Sequence, residues 1–399
     1  MKVLLFANTD WYLYNFRLSF ARYLRELGYE VVLVSPAGEY GTKLAQAGFR
    51  WIPVQLNRRS LNPVKEILFL RQLTHLYESE RPDLVHHFTI KCVVYGGVAA
   101  RLARIPAQVG AVAGMGYVFT SRALRAKALR PIVRTLLKSA LDQERGMLVV
   151  QNSDDLHDFV RADLVSKDRI TLIHGSGVDM SRFLPRQSRT NHGPLRILFA
   201  ARLLRDKGLY ELMDAIKMLV DKGLELDVMI AGTGDAGNPA SIPDKIIDQW
   251  RTEGLANFLG HVSDMPSLLA KSDVMVLPSY REGFPKSLIE AAAVGLPIIT
   301  TDVPGCREVV DHGLTGLLVP VRDAASLARA IQLLALNPQL RKQMGGNSQQ
   351  KARAEFDQEI VFSKTHEVYA KLLPLKTRHP HQSSESVLVT SELKLHYPH

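Results

Sequence analysis

The stretch that most constrains this chain runs from Asp273 to Pro297. Asp273-Val-Met-Val-Leu-Pro-Ser279 is a short apolar run of the kind that forms a strand buried on both faces of a parallel sheet. Glu282-Gly-Phe-Pro-Lys-Ser-Leu-Ile-Glu290 and then Ala291-Ala-Ala-Val-Gly295-Leu-Pro297 follow it. Pro285 suits the first turn of a helix, where a missing N–H costs nothing. Gly295 suits the position just past the helix end, and Pro297 stops the chain from continuing. The stretch therefore reads as strand, tight loop, short helix. A helix N-terminus at the carboxyl end of a parallel strand attracts anions through free amides and the helix dipole, and Ser287 adds a hydroxyl there. Glu290 should lie about 7–8 Å along the axis from Pro285, at ~1.5 Å per residue. That reach suits a phosphate at the helix tip and a ribose diol at Glu290. Glu282 stays in the loop, where the next group of a nucleotide-sugar would lie.

The rest of the chain repeats this alternation. Residues 2–8 read as a buried strand and not a signal peptide. An aromatic loop over residues 9–16 carries Trp11, Tyr12 and Tyr14, a helix spans 17–27, and residues 30–35 form the next strand. Strands alternating with helices predict an α/β fold of doubly wound parallel sheets, with ligands at the carboxyl ends of strands. A polar run at 186–194 splits the chain into two such halves. The expected organisation is a first domain over 1–185, a linker over 186–194 and a second domain over 195–355. A helix at 356–374 and a polar tail at 375–399 complete it.

Several stretches carry candidate chemistry. After the apolar run 195–201, Arg202 leaves a strand end and Lys207 starts the next helix, so both can reach one pyrophosphate and neutralise a leaving nucleoside diphosphate. Gly232, Gly234 and Gly237 match a dinucleotide fingerprint in spacing, but Asn238-Pro239 follows instead of a helix, so the stretch reads as a turn. His86 and His87 end a strand. Adjacent side chains there point to opposite faces, so at most one faces a cleft, and no nearby carboxylate or cysteine keeps metal-ligand spacing. Gly114 and Gly116 either let backbone approach a ligand or make a tight turn.

Residues 121–141 hold Arg122, Arg125, Lys127, Arg130, Arg134 and Lys138 with no acid among them and leucines interleaved. This is a basic amphipathic helix, with Pro131 as an expected break, suited to an anionic membrane surface or to a solvated face over a core. Residues 1–174 hold 24 Lys+Arg against 15 Asp+Glu, so the first half carries most of the net charge of +10. Nucleic acid is disfavoured, because stacking aromatics are absent from the basic stretch. Two cysteines argue against a disulfide framework and for a reducing compartment.

Glu-Gly-Phe-Pro, four residues, then Glu resembles the signature of the family-four retaining glycosyltransferases, whose GT-B fold sets two Rossmann-like domains across a cleft. The resemblance implies that Glu282 contacts a donor sugar, Glu290 the nucleotide ribose, and Arg202 and Lys207 the diphosphate. It implies that Gly283, Phe284, Pro285 and Ser287 line the donor site and that Val262 abuts the base. It further implies a UDP-sugar donor, no cofactor and no metal. The family often carries a cleft histidine where this chain has Phe88. Thr89-Ile-Lys91 and Gly114-Met-Gly116 resemble a bacterial subgroup that extends polyprenyl-diphosphate-linked sugars. This implies a lipid-linked acceptor whose phosphate meets Lys91, with Thr89, His87, Arg17, Gly114 and Gly116 as further candidates and the choice between His86 and His87 open, and an enzyme at the inner face of the cytoplasmic membrane. A nucleotide-sugar epimerase or hydrolase on the same fold, and a nucleic-acid binder, remain as alternatives.

Overall fold

The computed structural model describes residues 1–57, 62–113, 124–141, 145–185, 193–235 and 237–373. Two parallel sheets organise the chain. The first contains β1 (Lys2–Phe6), β2 (Glu30–Ser35), β3 (Arg50–Pro53), β4 (Leu84–Phe88), β5 (Ala107–Val112), β6 (Gly146–Val150) and β7 (Ile170–Leu172), in the order β3-β2-β1-β4-β5-β6-β7. The second contains β8 (Leu195–Ala200), β9 (Leu226–Ala231), β10 (Asn257–Gly260), β11 (Val274–Leu277), β12 (Ile298–Thr301) and β13 (Gly316–Val319), in the order β10-β9-β8-β11-β12-β13. This is the doubly wound α/β architecture in two copies. The strand order reverses between β1 and β4 and again between β8 and β11, which opens a crevice at the carboxyl ends of both pairs.

Local chemistry explains the elements. β4 and β11 are buried along their whole length, as strands covered on both faces must be. The helix Lys286–Ala293 ends as its residues require, with Gly295 at φ +82°. Its start is one residue later than the sequence suggests, because Pro285 sits at the N-cap with extended backbone.

Two other expectations are corrected. The aromatic stretch after β1 is not a loop. It coils into a short helix, Asp10–Tyr12, capped by the Thr9 hydroxyl, and a π-helical turn, Leu13–Arg17. Pro131 does not break its helix, which runs from Leu124 to Leu141, and the Pro131 carbonyl accepts a hydrogen bond from Thr135 Oγ1 at 3.0 Å.

The chain passes between the domains twice, and the two passes lie side by side. Val178 N donates to Phe356 O at 2.8 Å and Gln358 N to Val178 O at 3.0 Å. The last helix, Gln358–Leu372, then packs Phe362 and Tyr369 against Phe20 of the first domain. Among the described residues no helix is long and apolar enough to cross a membrane.

Candidate functional site

The carboxyl ends of β8 and β11 hold the residues singled out for the donor. The turn Arg205–Lys207 closes on Gly208 at φ +74°, where a side chain would collide with the Pro278 carbonyl. That close approach docks the turn on the segment after β11. Tyr280 N donates to Asp206 O at 2.8 Å, and Ser279 Oγ donates to the same oxygen at 3.1 Å. Lys207 Nζ thereby reaches Glu282 Oε1 at 2.6 Å, with both side chains largely covered at 14% and 13% exposure.

Glu290 lies about one turn into the following helix, with Lys286 Nζ 3.8 Å away. Burial raises the Glu290 carboxyl pKa and lowers that of the Lys286 ammonium, while each charge partly offsets the effect on the other. Glu290, Lys286 and Val262 line one cavity of about 620 Å³ that Trp11, Tyr14 and Phe16 of the first domain help to enclose. Lys286 Nζ also donates to the Asn15 carbonyl at 3.0 Å and sits 4.9 Å from the Phe16 ring centre, so it ties the two walls together. Arg202 pairs with a residue outside this group. Its Nη1 donates to Asp235 Oδ2 at 2.8 Å, with the Arg202 side chain 61% exposed.

The Glu282–Pro285 loop is held by the first domain. Asn152 Nδ2 donates to the Gly283 carbonyl at 2.8 Å, and Arg281 Nη2 to the fully buried Asp155 at 2.9 Å. Arg307 pairs with Asp154 at 3.2 Å, and Glu308 accepts from both the amide and the hydroxyl of Ser153. Phe284 needs correction as a donor contact. Its ring is buried, stacked on His174 at 5.0 Å and edge-on to Phe356 at 5.3 Å, so it supports the loop from behind. Ser287 lies on the first turn of the helix, half-buried.

The acceptor candidates are dispersed. His87 is corrected: it is sealed under the helix Pro63–Glu80, hydrogen-bonded to Tyr77 Oη at 3.1 Å, and burial pushes its pKa down to about 3. His86 is equally buried, with Nδ1 2.7 Å from Tyr369 Oη on the last helix, so neither histidine reaches a cleft. Arg17 is buried beneath the aromatic turn, 4.3 Å from the Phe88 ring centre and 3.0 Å from Tyr12 Oη. Thr89 holds φ +76°, a strained backbone for a β-branched residue that costs on the order of 1–3 kcal/mol and is characteristic of functional sites. Lys91 Nζ donates to the Asn57 carbonyl at 2.8 Å and to Glu66 at 3.0 Å.

Asn57 and Glu66 line a larger cavity of about 1070 Å³, walled by the ends of β1, β2 and β3 and by the helix Pro63–Glu80. Gly114, Gly116 and Arg122 lie outside the described residues, as do the side chains of Arg125, Lys127 and Arg130. Arg134 donates to the Ala162 carbonyl at 2.7 Å, and Lys138 pairs with Asp163 at 2.7 Å.

Residues 180–351 match the family described as glycosyl transferases group 1, and residues 2–143 match a second, described as glycosyl transferase 4-like. The chain is a glycosyltransferase whose second half matches the group 1 family. This glycosyltransferase is 27% identical over 373 residues to the N,N'-diacetylbacillosaminyl-diphospho-undecaprenol alpha-1,3-N-acetylgalactosaminyltransferase of Campylobacter jejuni, covering 90% of the chain and 96% of that protein. It is 26% identical over 285 residues to the UDP-Gal:alpha-D-GlcNAc-diphosphoundecaprenol alpha-1,3-galactosyltransferase of Escherichia coli, covering 68% and 71% respectively. Anabaena HepE, solved in complex with UDP, superposes with a TM-score of 0.74 at 19% identity over 93% of this chain and all of that one. The glycosyltransferase thus has the GT-B fold.

Sequence reading missed Asp235 and Lys286 as partners in this group. Lys286 stood inside the motif itself. Asp235 stood in the glycine turn set aside as scaffold, and nothing local marks it as the partner of a residue from the neighbouring strand.

Proposed function

We propose that this glycosyltransferase moves a hexose or N-acetylhexosamine from a UDP-sugar to a polyprenyl-diphosphate-linked sugar in bacterial surface-glycan assembly, with retention of configuration. The observation that carries the proposal is the Lys207–Glu282 contact at 2.6 Å, with Glu290 on the adjoining helix at the cleft between the two sheets. The uracil lies near Val262, the ribose diol bonds Glu290, and Lys207 and Arg202 neutralise the diphosphate. Glu282 then turns from Lys207 to the sugar hydroxyls. Gly283, Pro285 and Ser287 line the helix tip, where the N–H groups of Gly283 and Ser287 favour anionic oxygens.

Lys207, held in place by the turn it closes, and Arg202, drawn in by the diphosphate, stabilise charge where it develops in the transition state. On this reading they supply what a metal supplies elsewhere. Attack comes from the face the diphosphate leaves, whose oxygen accepts the proton of the acceptor hydroxyl. The acceptor class rests on the printed substrates of the Campylobacter and Escherichia relatives and on the Thr89-Ile-Lys91 motif. The basic helix Leu124–Leu141, with its Arg-rich start, seats the first domain on anionic lipid.

The deciding experiment screens UDP-sugars against an isolated lipid-linked acceptor and reads the anomeric linkage of the product by NMR. An α-linked product from an α-linked donor is expected. An inverted product, or donor loss at equal rates without acceptor, overturns the reading in favour of another mechanism or a hydrolase. In liposome flotation, binding should require anionic lipid and weaken when Arg125 and Arg134 are both replaced by glutamate. Equal binding to neutral vesicles sinks the membrane part.

A further inference from the structure

We infer that Asp235 is an exchange partner that links the two substrates. It pairs with Arg202 in this structure, and it positions the acceptor sugar once the donor diphosphate has drawn Arg202 away. The inference rests on the donor site described above and adds the order in which the sites fill.

Asp235 sits in a braced loop after β9. Its amide donates to Ser241 Oγ at 3.1 Å, and its carboxylate accepts from Asn238 Nδ2 at 3.2 Å as well as from Arg202 at 2.8 Å. The carboxylate is therefore fixed, whereas the Arg202 side chain is 61% exposed. An exposed ion pair of this kind is weak and easily exchanged. A diphosphate presents several anionic oxygens in the fork geometry a guanidinium prefers, so it outcompetes one carboxylate. The Lys207–Glu282 pair, at 14% and 13% exposure, is far more enclosed. The two cations thus respond differently to the donor, and Arg202 is the one that changes partner.

The consequence falls on the other substrate. Asp235 lines the cavity of about 1070 Å³, and among the described residues that line it Asp235 alone comes from the second domain. The facing wall carries the side-chain amides of Asn8, Gln55, Asn57 and Gln72, with Lys65 and the Lys91-paired carboxylate of Glu66 beside them. Amides beside one cation and one paired carboxylate, over the apolar Leu56, Leu68 and Phe69, suit a neutral sugar, which offers hydroxyls as both donors and acceptors. A carboxylate released from Arg202 accepts from a hydroxyl or an acetamido N–H of that sugar. It also repels a carboxylate-bearing sugar. The structure thus assigns this cavity to a neutral acceptor residue, completed only after donor binding.

The test uses the full chain with Asp235→Asn and Asp235→Glu, each first checked for an unchanged melting temperature. In calorimetric titration with UDP alone, Asp235→Asn should bind about two- to fivefold more tightly, because Arg202 no longer has to leave an anion, and Asp235→Glu should match wild type. With N-acetylglucosaminyl-diphospho-undecaprenol in detergent as the acceptor probe, Asp235→Asn should raise the acceptor KM about tenfold or more, the loss of one charge-assisted bond, with a smaller change in kcat. A merely structural role would not move the two substrates in opposite directions. UDP bound no tighter by Asp235→Asn than by wild type overturns the exchange. An unchanged acceptor KM overturns the acceptor role. Wild type that binds no UDP overturns the donor site beneath both, and wild type that binds UDP without using this probe overturns only the acceptor class.

Discussion

Replacing Lys207 with methionine separates the catalytic and structural parts of one contact. Lys207 Nζ stands 2.6 Å from Glu282, with both side chains mostly covered. If the ammonium stabilises the departing diphosphate, its loss should lower kcat about 10²–10³-fold, equivalent to about 2.7–4 kcal/mol of barrier. The same change strips Glu282 of its cation. Breaking a fully buried pair costs about 3–5 kcal/mol, and solvent at the cleft edge reduces the expected stability loss here to about 1–3 kcal/mol. Adding Glu282→Gln removes the orphaned charge. The double variant should regain most of the stability and none of the turnover. Urea denaturation measures the first quantity and single-turnover transfer from a UDP-sugar the second. A Lys207→Met enzyme whose kcat stays within about threefold of wild type, less than ~0.7 kcal/mol of barrier, would show that Lys207 only braces the loop.

Glu290→Ala should weaken UDP binding about 10–100-fold, the ~1.5–3 kcal/mol of a hydrogen bond to a charged group, and should matter much less for 2′-deoxy-UDP. Equal losses for both nucleotides would place the ribose elsewhere. His87 makes stability depend on pH. Burial lowers its folded pKa from 6.5 to about 3, so its contribution is fully present above pH 6.5 and is lost as pH falls from there toward 3. The expected slope is about 1.4 kcal/mol per pH unit, with His86 adding to it because its pKa is also lowered by burial. Denaturation at pH 7 and pH 5 should show a smaller difference in His87→Gln than in wild type, and an equal difference would contradict the assignment.

What the sequence disclosed was local. The strand–loop–helix over 273–297 was legible because an apolar run, a proline and a glycine each report their own backbone. The helical turn at Asp10–Arg17 was not, because its aromatics look like loop decoration and only the Thr9 cap marks a start. Alternation along β4 correctly put His86 and His87 on opposite faces. It could not show that Tyr369, far along the chain, covers one face and Tyr77 the other. Burial by a returning helix is a property of the whole topology and leaves no mark near residue 86.

The pairings within the site were hidden for a related reason, and they bear on how the enzyme works. Each cation expected at the donor has a carboxylate, Lys207 with Glu282 and Arg202 with Asp235, and Lys286 has Glu290 at a looser 3.8 Å. An enclosed cation such as Lys207 would be costly to keep folded without a counter-charge, whereas the exposed Arg202 pairs at little cost either way. A nucleotide-sugar brings the anions and the hydroxyls together. Its diphosphate takes over the cations, and its ribose and sugar hydroxyls hydrogen-bond the carboxylates left behind, so every charged group keeps a polar partner. An inorganic diphosphate offers only half of that exchange and leaves Glu282 and Glu290 unmatched. It should therefore bind much more weakly than UDP-sugar, although it carries the same groups to Arg202 and Lys207. Competition of diphosphate, UDP and UDP-sugar at one ionic strength measures the difference, and equal affinities would mean that the cations act alone.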